Sequence, residues 1–340
     1  MPDPVSTEDA LATVRVGTRA STLALTQTGT VADSLAAAGP LRTELVRITT
    51  DGDRLTGSLV ALGGTGVFVT ALREALLDGR CDVAVHSLKD LPSAPADGLV
   101  LGAVPDREDP RDALCARDGL TLATLPPGAR VGTGSPRRAA QLRAARPDLV
   151  LLDIRGNVDT RLRRVAPGDL DAVVLARAGL ARLGRLDAVT DLIDVGTMAP
   201  APGQGALAVE VRAEAVTDPA HPLARALAAV DHRPSRLAVT AERALLARLE
   251  AGCAAPIGAL ARLTGTVLAL DAVVSRVDGT DRLRRSRSVD LAATAASGAS
   301  ASTPAATDPQ LTAAAALGAE VAEVLLADGA GDLAELGVLL

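Results

Sequence analysis

One lysine stands among the 340 residues: Lys89, in the stretch Val85-His86-Ser87-Leu88-Lys89-Asp90-Leu91-Pro92. Apart from three histidines, every other basic side chain is arginine. A compact ammonium on a flexible stem and a planar guanidinium fork are not interchangeable. A lysine kept beside an aspartate, just after an apolar run, marks a place where the ammonium itself matters. Asp90 is then a candidate for relaying a proton or stabilising a cation. Lys89 also has the chemistry for a Schiff base with a carbonyl or pyridoxal phosphate, although no second feature supports it. His86 reads as a polar residue closing a strand.

Arginine gathers at strand-to-helix turns. Gly132-Thr133-Gly134-Ser135-Pro136-Arg137-Arg138 follows an apolar run and opens a helix, with Pro136 suited to its first turn. Free amides at a helix start and two guanidiniums together make an anion site. Arg155-Gly156-Asn157-Val158-Asp159-Thr160-Arg161 and Gly17-Thr18-Arg19-Ala20-Ser21 repeat the scheme. Three such turns suit a ligand with several carboxylates; helix capping by surface arginines is the competing explanation. Gly63-Gly64-Thr65-Gly66 precedes a helix, but neither it nor Gly132 to Gly134 completes a nucleotide-binding fingerprint. Cys253 lies in a loop of small residues, Glu250 to Gly258, accessible enough for covalent attachment; Cys81 and Cys115 sit in apolar runs and read as packing residues.

The elements that position these residues alternate. Strands are expected at Thr13–Gly17, Glu44–Thr49, Asp82–Val85, Ala129–Gly132, Leu149–Asp153 and Ala172–Leu175, with helices at about 21–38 and Val67–Leu77. Strand alternating with helix predicts an α/β architecture of doubly wound sheets. Breaks fall near Pro105–Pro110 and Ala199–Gly205. After about 230 a helix at Ser235–Leu249 and strands at Val267–Val277 and Leu283–Val289 predict a smaller α+β domain. The Ala/Ser/Thr/Pro-rich stretch 292–307 reads as an exposed insertion.

Composition narrows the function classes. A net charge of −6 and a single aromatic residue, Phe68, argue against nucleic acid, which needs a basic field and stacking platforms. Three cysteines far apart form neither a disulfide framework nor a metal-binding pattern, so no metal is expected. The N-terminus lacks a secretory pattern and no charge-free apolar run reaches spanning length, so no membrane is expected and a cytoplasmic location is the simplest.

In combination these segments resemble the porphobilinogen deaminase (hydroxymethylbilane synthase) family. The match runs collinearly from about 13 to 260 through Gly17 to Ser21, Gly63 to Val69, His86 to Pro92, Arg107 to Asp112, Gly132 to Arg138, Arg155 to Arg161, Pro202-Gly203-Gln204-Gly205 and Glu250 to Gly258. The resemblance implies a transferase that condenses four porphobilinogen molecules head to tail with loss of ammonia, then releases the linear tetrapyrrole by hydrolysis. The chain would grow on a dipyrromethane cofactor joined by a thioether to Cys253.

By motif position, Asp90 corresponds to the catalytic carboxylate. Lys89, Ser135, Arg137, Arg138, Arg161, Thr133 and Asp53 correspond to cofactor contacts. Arg19, Ser21, Arg155, Asn157, Arg182 and Gln204 correspond to substrate contacts. The implied fold has two periplasmic-binding-protein-like doubly wound domains, 11–105 with 206–223 and 111–199, flanking the active cleft, and a smaller α+β domain at 228–340. A monomer is expected. Ala61, Thr65 and Thr70 stand where many relatives carry lysines, and Gly134 where many carry serine. A non-catalytic carboxylate-binding protein of the same fold is the rival; it would need neither Asp90 nor Cys253.

Overall fold

The computed structural model describes residues 11–48, 66–251, 255–292 and 308–334. They divide into two compact units: residues up to 91 with 95–106 and 207–232, and residues 92–94 with 107–206 and 233 onward.

In the first unit, alternating Val14 and Val16 turn inward along β1 (Ala12–Thr18). Helix α1 (Thr22–Ala38) follows, capped by Ser21, whose Oγ accepts the Ala24 N–H at 3.4 Å. Strand β2 (Leu41–Arg47) lies parallel to β1, Ala12 opposite Leu41 and Thr18 opposite Arg47. It starts three residues earlier than expected and stops at Arg47, because Leu41 to Thr43 already pair with Ala12 to Val14. Helix α2 (Gly66–Leu77), strands β3 (Val83–Ser87) and β4 (Leu99–Ala103), and the returning β10 (Leu207–Arg212) and α6 (Pro222–Val230) complete the unit. The sheet order is β2-β1-β3-β10-β4, with β10 antiparallel to both neighbours.

One sheet face packs Val14, Val16, Val83, Val85, Val209 and Val211 against Val31 and Leu35 of α1 and Leu223 and Leu227 of α6. The other packs Ala84 and Cys81 against Leu72, Ala75 and Leu76 of α2. Gly17 has a steric role there: a Cβ on it would lie 2.8 Å from Cys81 Sγ.

The second unit repeats the sheet plan. Strands β5 (Asp112–Ala116), β6 (Arg130–Gly132), β7 (Val150–Leu152), β8 (Ala172–Ala176) and β9 (Asp191–Leu192) lie in the order β7-β6-β8-β5-β9. The first three are parallel and β5 is antiparallel to both neighbours, as β10 is in the first sheet. Helices α3 (Pro136–Ala145), α4 (Val158–Leu162) and α5 (Arg177–Arg182) follow β6, β7 and β8.

The same unit carries a smaller α+β domain. Its antiparallel sheet of β11 (Ile257–Thr264), β12 (Val267–Ser275) and β13 (Arg282–Asp290) is covered by α7 (Arg233–Arg248), α8 (Pro309–Ala327) and α9 (Ala330–Ala334). Among the described residues, α8 is the one helix long and apolar enough to cross a membrane. Its Leu317, Val321 and Leu325 are buried in this core, and Gly318 lies so close to α7 that a Cβ would meet Ala244 Cβ and Leu245 N at 2.9 Å. The architecture is the expected one: two doubly wound α/β sheets and a smaller α+β domain.

Candidate functional site

Four of the described turns that the sequence marked, those after β1, β3, β6 and β7, lie at the C-terminal ends of parallel strands, where open α/β sheets bind ligands, whereas Arg107 to Asp112 and Pro202 to Gly205 lead into the antiparallel β5 and β10. In the first unit, Arg19 and Ser21 follow β1, and Lys89 and Asp90 follow β3 in a single 3-10 turn, Leu88–Asp90. Leu88 is buried and anchors the turn, which leaves Lys89 and Asp90 half-buried. Ser87 is tied to α1: Gln27 Nε2 donates to its Oγ at 3.2 Å. His86 points to the opposite sheet face from Val85, where its Nε2 lies 3.1 Å from Glu210 Oε2. Glu210 is also held by Arg73 Nη2 at 2.8 Å. Burial alone would raise the Glu210 carboxyl, but hydrogen bonding to His86 and Arg73 and their charge hold it down at about 2.

In the second unit the turn after β6 carries the densest polar cluster. Ser135 caps α3, its Oγ accepting the Arg138 N–H, and the Ser135 N–H donates to Thr133 Oγ1 at 3.2 Å. Arg137 and Arg138 are buried and converge on Asp112, the first residue of β5. Arg137 Nη2 lies 2.8 Å from Asp112 Oδ2, and Arg138 Nε donates to Oδ1 at 2.9 Å. Gln204 Nε2 donates to the same Oδ1 at 2.9 Å. Burial would raise Asp112, yet the two guanidinium charges outweigh it and hold the carboxyl at about 2.

After β7 come Arg155 and Asn157, both exposed, and Gly156 at φ +108°. Asn157 caps α4, its Oδ1 accepting the Thr160 N–H at 2.8 Å. Arg161 is half-buried; its Nε donates to the Gly156 carbonyl at 2.8 Å, and among the described residues it forms no ion pair. Burial and the nearby charges of Arg138 and Arg155 push the Arg161 guanidinium below its ordinary pKa. Arg182, half-buried at the end of α5, donates from Nη2 to the Gly205 carbonyl at 2.6 Å, and burial lowers it likewise.

The structure therefore brings Thr133, Ser135, Arg137, Arg138 and Gln204 into one network and sets Arg155 and Arg161 near it. Arg19, Ser21, Lys89 and Asp90 belong to the first unit. Cys253 and Asp53, like Ala61, Thr65 and the stretch 293–307, lie outside the described residues; Thr70 is exposed on α2. Cys81 and Cys115 are buried free thiols, pushed up to about 11 and about 12 chiefly by burial. Among the described residues no group of three or more His, Cys, Asp or Glu could hold a metal ion.

Three acidic residues of these networks were not singled out from the sequence. Asp112 is hidden in a run of alternating charges, Arg107 to Asp112. Glu210 is a lone charge in an apolar strand, a legible signal of a buried pair. Glu242 lies on α7 with no distinguishing neighbour; it is fully buried, and both its oxygens take Arg107, at 2.7 and 3.0 Å.

Twin mixed sheets with arginines at their strand ends, and half-buried Arg161 and Arg182 that form no ion pair among the described residues, describe an α/β protein with the chemistry to bind anions. The family model described as porphobilinogen deaminase, dipyromethane cofactor binding domain, matches residues 14–217, and the porphobilinogen deaminase C-terminal domain matches 236–327. This chain belongs to the porphobilinogen deaminase family. It is 60% identical to porphobilinogen deaminase of Leifsonia xyli subsp. xyli over 95% of this chain and 94% of the relative. It is 55% identical to that of Cutibacterium acnes over 96% and 98%. Among solved structures, a TRAP periplasmic solute binding protein from Desulfovibrio salexigens aligns with a TM-score of 0.40 and 10% identity, covering 65% of this chain and 73% of that one.

Proposed function

We propose that this chain is a hydroxymethylbilane synthase that condenses four porphobilinogen molecules with release of ammonia and then frees the linear tetrapyrrole by hydrolysis. The observation that carries the reading is the surplus of guanidinium charge on the second sheet. Arg137 and Arg138 share one carboxylate, and Arg161 beside them has none among the described residues. Porphobilinogen brings two carboxylates per pyrrole, which such a surplus accommodates.

The same donor set fits the dipyrromethane group that the matched family domain binds. Thr133, Ser135, Arg137, Arg138 and Arg161 would hold its carboxylates, with Lys89 and Asp53 as further contacts and Cys253 as the attachment point. When bound, the group supplies the pyrrole carbon to which substrate is added. Arg19, Ser21, Arg155, Asn157, Arg182 and Gln204 bind and orient the substrate side.

Asp90 does the proton work. Its turn presents a carboxylate, beside one ammonium, at the end of β3. There it accepts the pyrrole N–H and stabilises positive charge developing as the aminomethyl group loses ammonia. Core clusters support three domains near the expected 11–105 with 206–223, 111–199 and 228–340, except that Leu227 and Val230 pack in the first, which extends it to about 230 and starts the third at about Arg233. The buried free thiols Cys81 and Cys115 agree with a reducing cytoplasm.

The test is the intact mass of the purified protein with peptide mapping. An excess of two linked pyrroles on the Cys253 peptide, lost in Cys253→Ser, is the expected result. A chain that stays unmodified after incubation with porphobilinogen favours the rival, a carboxylate binder without turnover.

A further inference from the structure

Asp112 lies at the centre of the arginine cluster with no access to solvent, 0% exposed. Its Oδ2 takes Arg137 Nη2 at 2.8 Å; its Oδ1 takes Arg138 Nε at 2.9 Å and Gln204 Nε2 at 2.9 Å. The remaining bonds close the cluster on backbone oxygens. Arg137 Nη1 donates to Ala199 O at 2.5 Å, Arg138 Nη1 to Val174 O at 3.1 Å, and Gln204 Nε2 to Pro110 O at 2.7 Å. Gln141 fixes the Ala199 peptide from both sides: its Oε1 accepts Ala199 N at 2.8 Å and its Nε2 donates to Ala199 O at 3.1 Å. Ala199 is in turn pinned by β11, since a Cβ on Gly258 would lie 2.7 Å from Ala199 Cβ and O.

Two like charges held this close in the interior repel, and each needs a counter-ion to stay buried. A single carboxylate between them satisfies part of that need and leaves one positive charge over. A guanidinium has five N–H groups, and the bonds above leave some on each fork unused. The cluster is therefore aimed by Asp112 yet left short of one anion.

We propose that Asp112 is the positioning residue of the cofactor arginines. Its charge keeps Arg137 and Arg138 together so that the site can be loaded, and its reach sets where their free N–H groups stand. This rests on the functional reading above, with Arg137 and Arg138 on the cofactor side. Charge and position are separable by substitution: Asp112→Asn keeps the shape and removes the charge, and Asp112→Glu keeps the charge and lengthens the arm by one methylene.

The apo-proteins are incubated with porphobilinogen, the loaded fraction is read by intact mass, and turnover is measured per loaded site. Asp112→Asn should lower the loading rate by about tenfold or more, because a buried charge pair has lost its partner. Asp112→Glu should load within about threefold of wild type, yet its kcat per loaded site should fall by about tenfold or more with KM little changed, since misplacement costs orientation. A purely structural role would lower the melting temperature of both variants and leave kcat per loaded site intact. Normal loading of Asp112→Asn, or wild-type kcat per loaded site in Asp112→Glu, overturns the proposal. If Asp112→Asn does not fold, Asp112→Glu decides. Wild type is loaded first in the same assay, so a failure there overturns the functional reading, and a failure confined to the variants overturns the role of Asp112.

Discussion

Gly134 comes so close to Ile154 that a Cβ on it would sit 2.5 Å from the Ile154 carbonyl oxygen. The turn after β6 and the end of β7 are thus packed backbone to backbone, with Thr133 N donating to Leu152 O at 3.0 Å one step earlier. This chain has glycine where the family resemblance implies serine in many relatives, and the spacing here leaves no room for a Cβ.

Gly134→Ser should accordingly push the two turns apart. The expected cost is about 1–3 kcal/mol of stability, the usual penalty for overpacking. Loading with porphobilinogen should fall as well, because Ser135, Arg137 and Arg138 lie within the next four residues. Urea unfolding and intact mass check both effects; a serine variant as stable as wild type would mean that the 153–155 segment yields freely.

Arg107 and Glu242 form a buried ion pair, 9% and 0% exposed at their side chains. Glu242 also accepts Gly203 N at 2.6 Å and Ala261 N at 2.8 Å, so it ties α7 to the Gly203-Gln204 turn and to β11. Glu242→Ala strands a buried guanidinium and two backbone donors, and should destabilise by about 3–5 kcal/mol. Arg107→Met with Glu242→Leu removes both charges and should cost less than Glu242→Ala alone. Denaturant titration of the three proteins decides it; equal losses would show that the pair itself, rather than an unpaired charge, sets the stability.

The sheet ends were legible in the sequence because strand, small polar residue, arginine and helix recur in a fixed order, and that order is what a parallel strand feeding a helix requires. Sheet direction was not. Nothing in Leu207-Ala208-Val209-Glu210-Val211 tells a reader that β10 runs antiparallel between β3 and β4, since a buried strand shows the same apolar run either way. The convergence of Arg137 and Arg138 at one turn was legible, whereas Asp112 was not legible as their partner. Pairing across 25 residues is a product of tertiary packing, and spacing carries no trace of it.

Glu210 gives a test in acid. Its folded carboxyl is held at about 2, below the ordinary 4.5, so its contribution is present above about pH 4.5 and is lost as pH falls through the folded value. Integrated over that shift, the contribution is on the order of 3 kcal/mol. The stability gap between wild type and Glu210→Gln should therefore narrow from pH 5 toward pH 2.5, as followed by urea unfolding at each pH. A gap that stays constant over that range would show that the His86 and Arg73 contacts do not depend on the carboxylate charge.

The role proposed for Asp90 separates catalysis from binding. It stands beside Lys89 on the turn after β3, anchored by buried Leu88 and by the Gln27–Ser87 hydrogen bond, so replacing its carboxylate leaves the anchors of the turn in place. The arginines assigned to the cofactor belong to the other unit and keep their own network. Asp90→Ala should therefore still load with dipyrromethane, though slowly, since loading uses the same deamination chemistry. Turnover per loaded site should drop by roughly 10²–10⁴-fold, the usual loss for removing a proton-transfer group. Asp90→Glu, which retains the carboxylate at a shifted position, should recover part of that rate. Ammonia release measured alongside intact mass distinguishes the cases. Full turnover in Asp90→Ala would move the catalytic role to another group on the same turn, with Lys89 the first to examine.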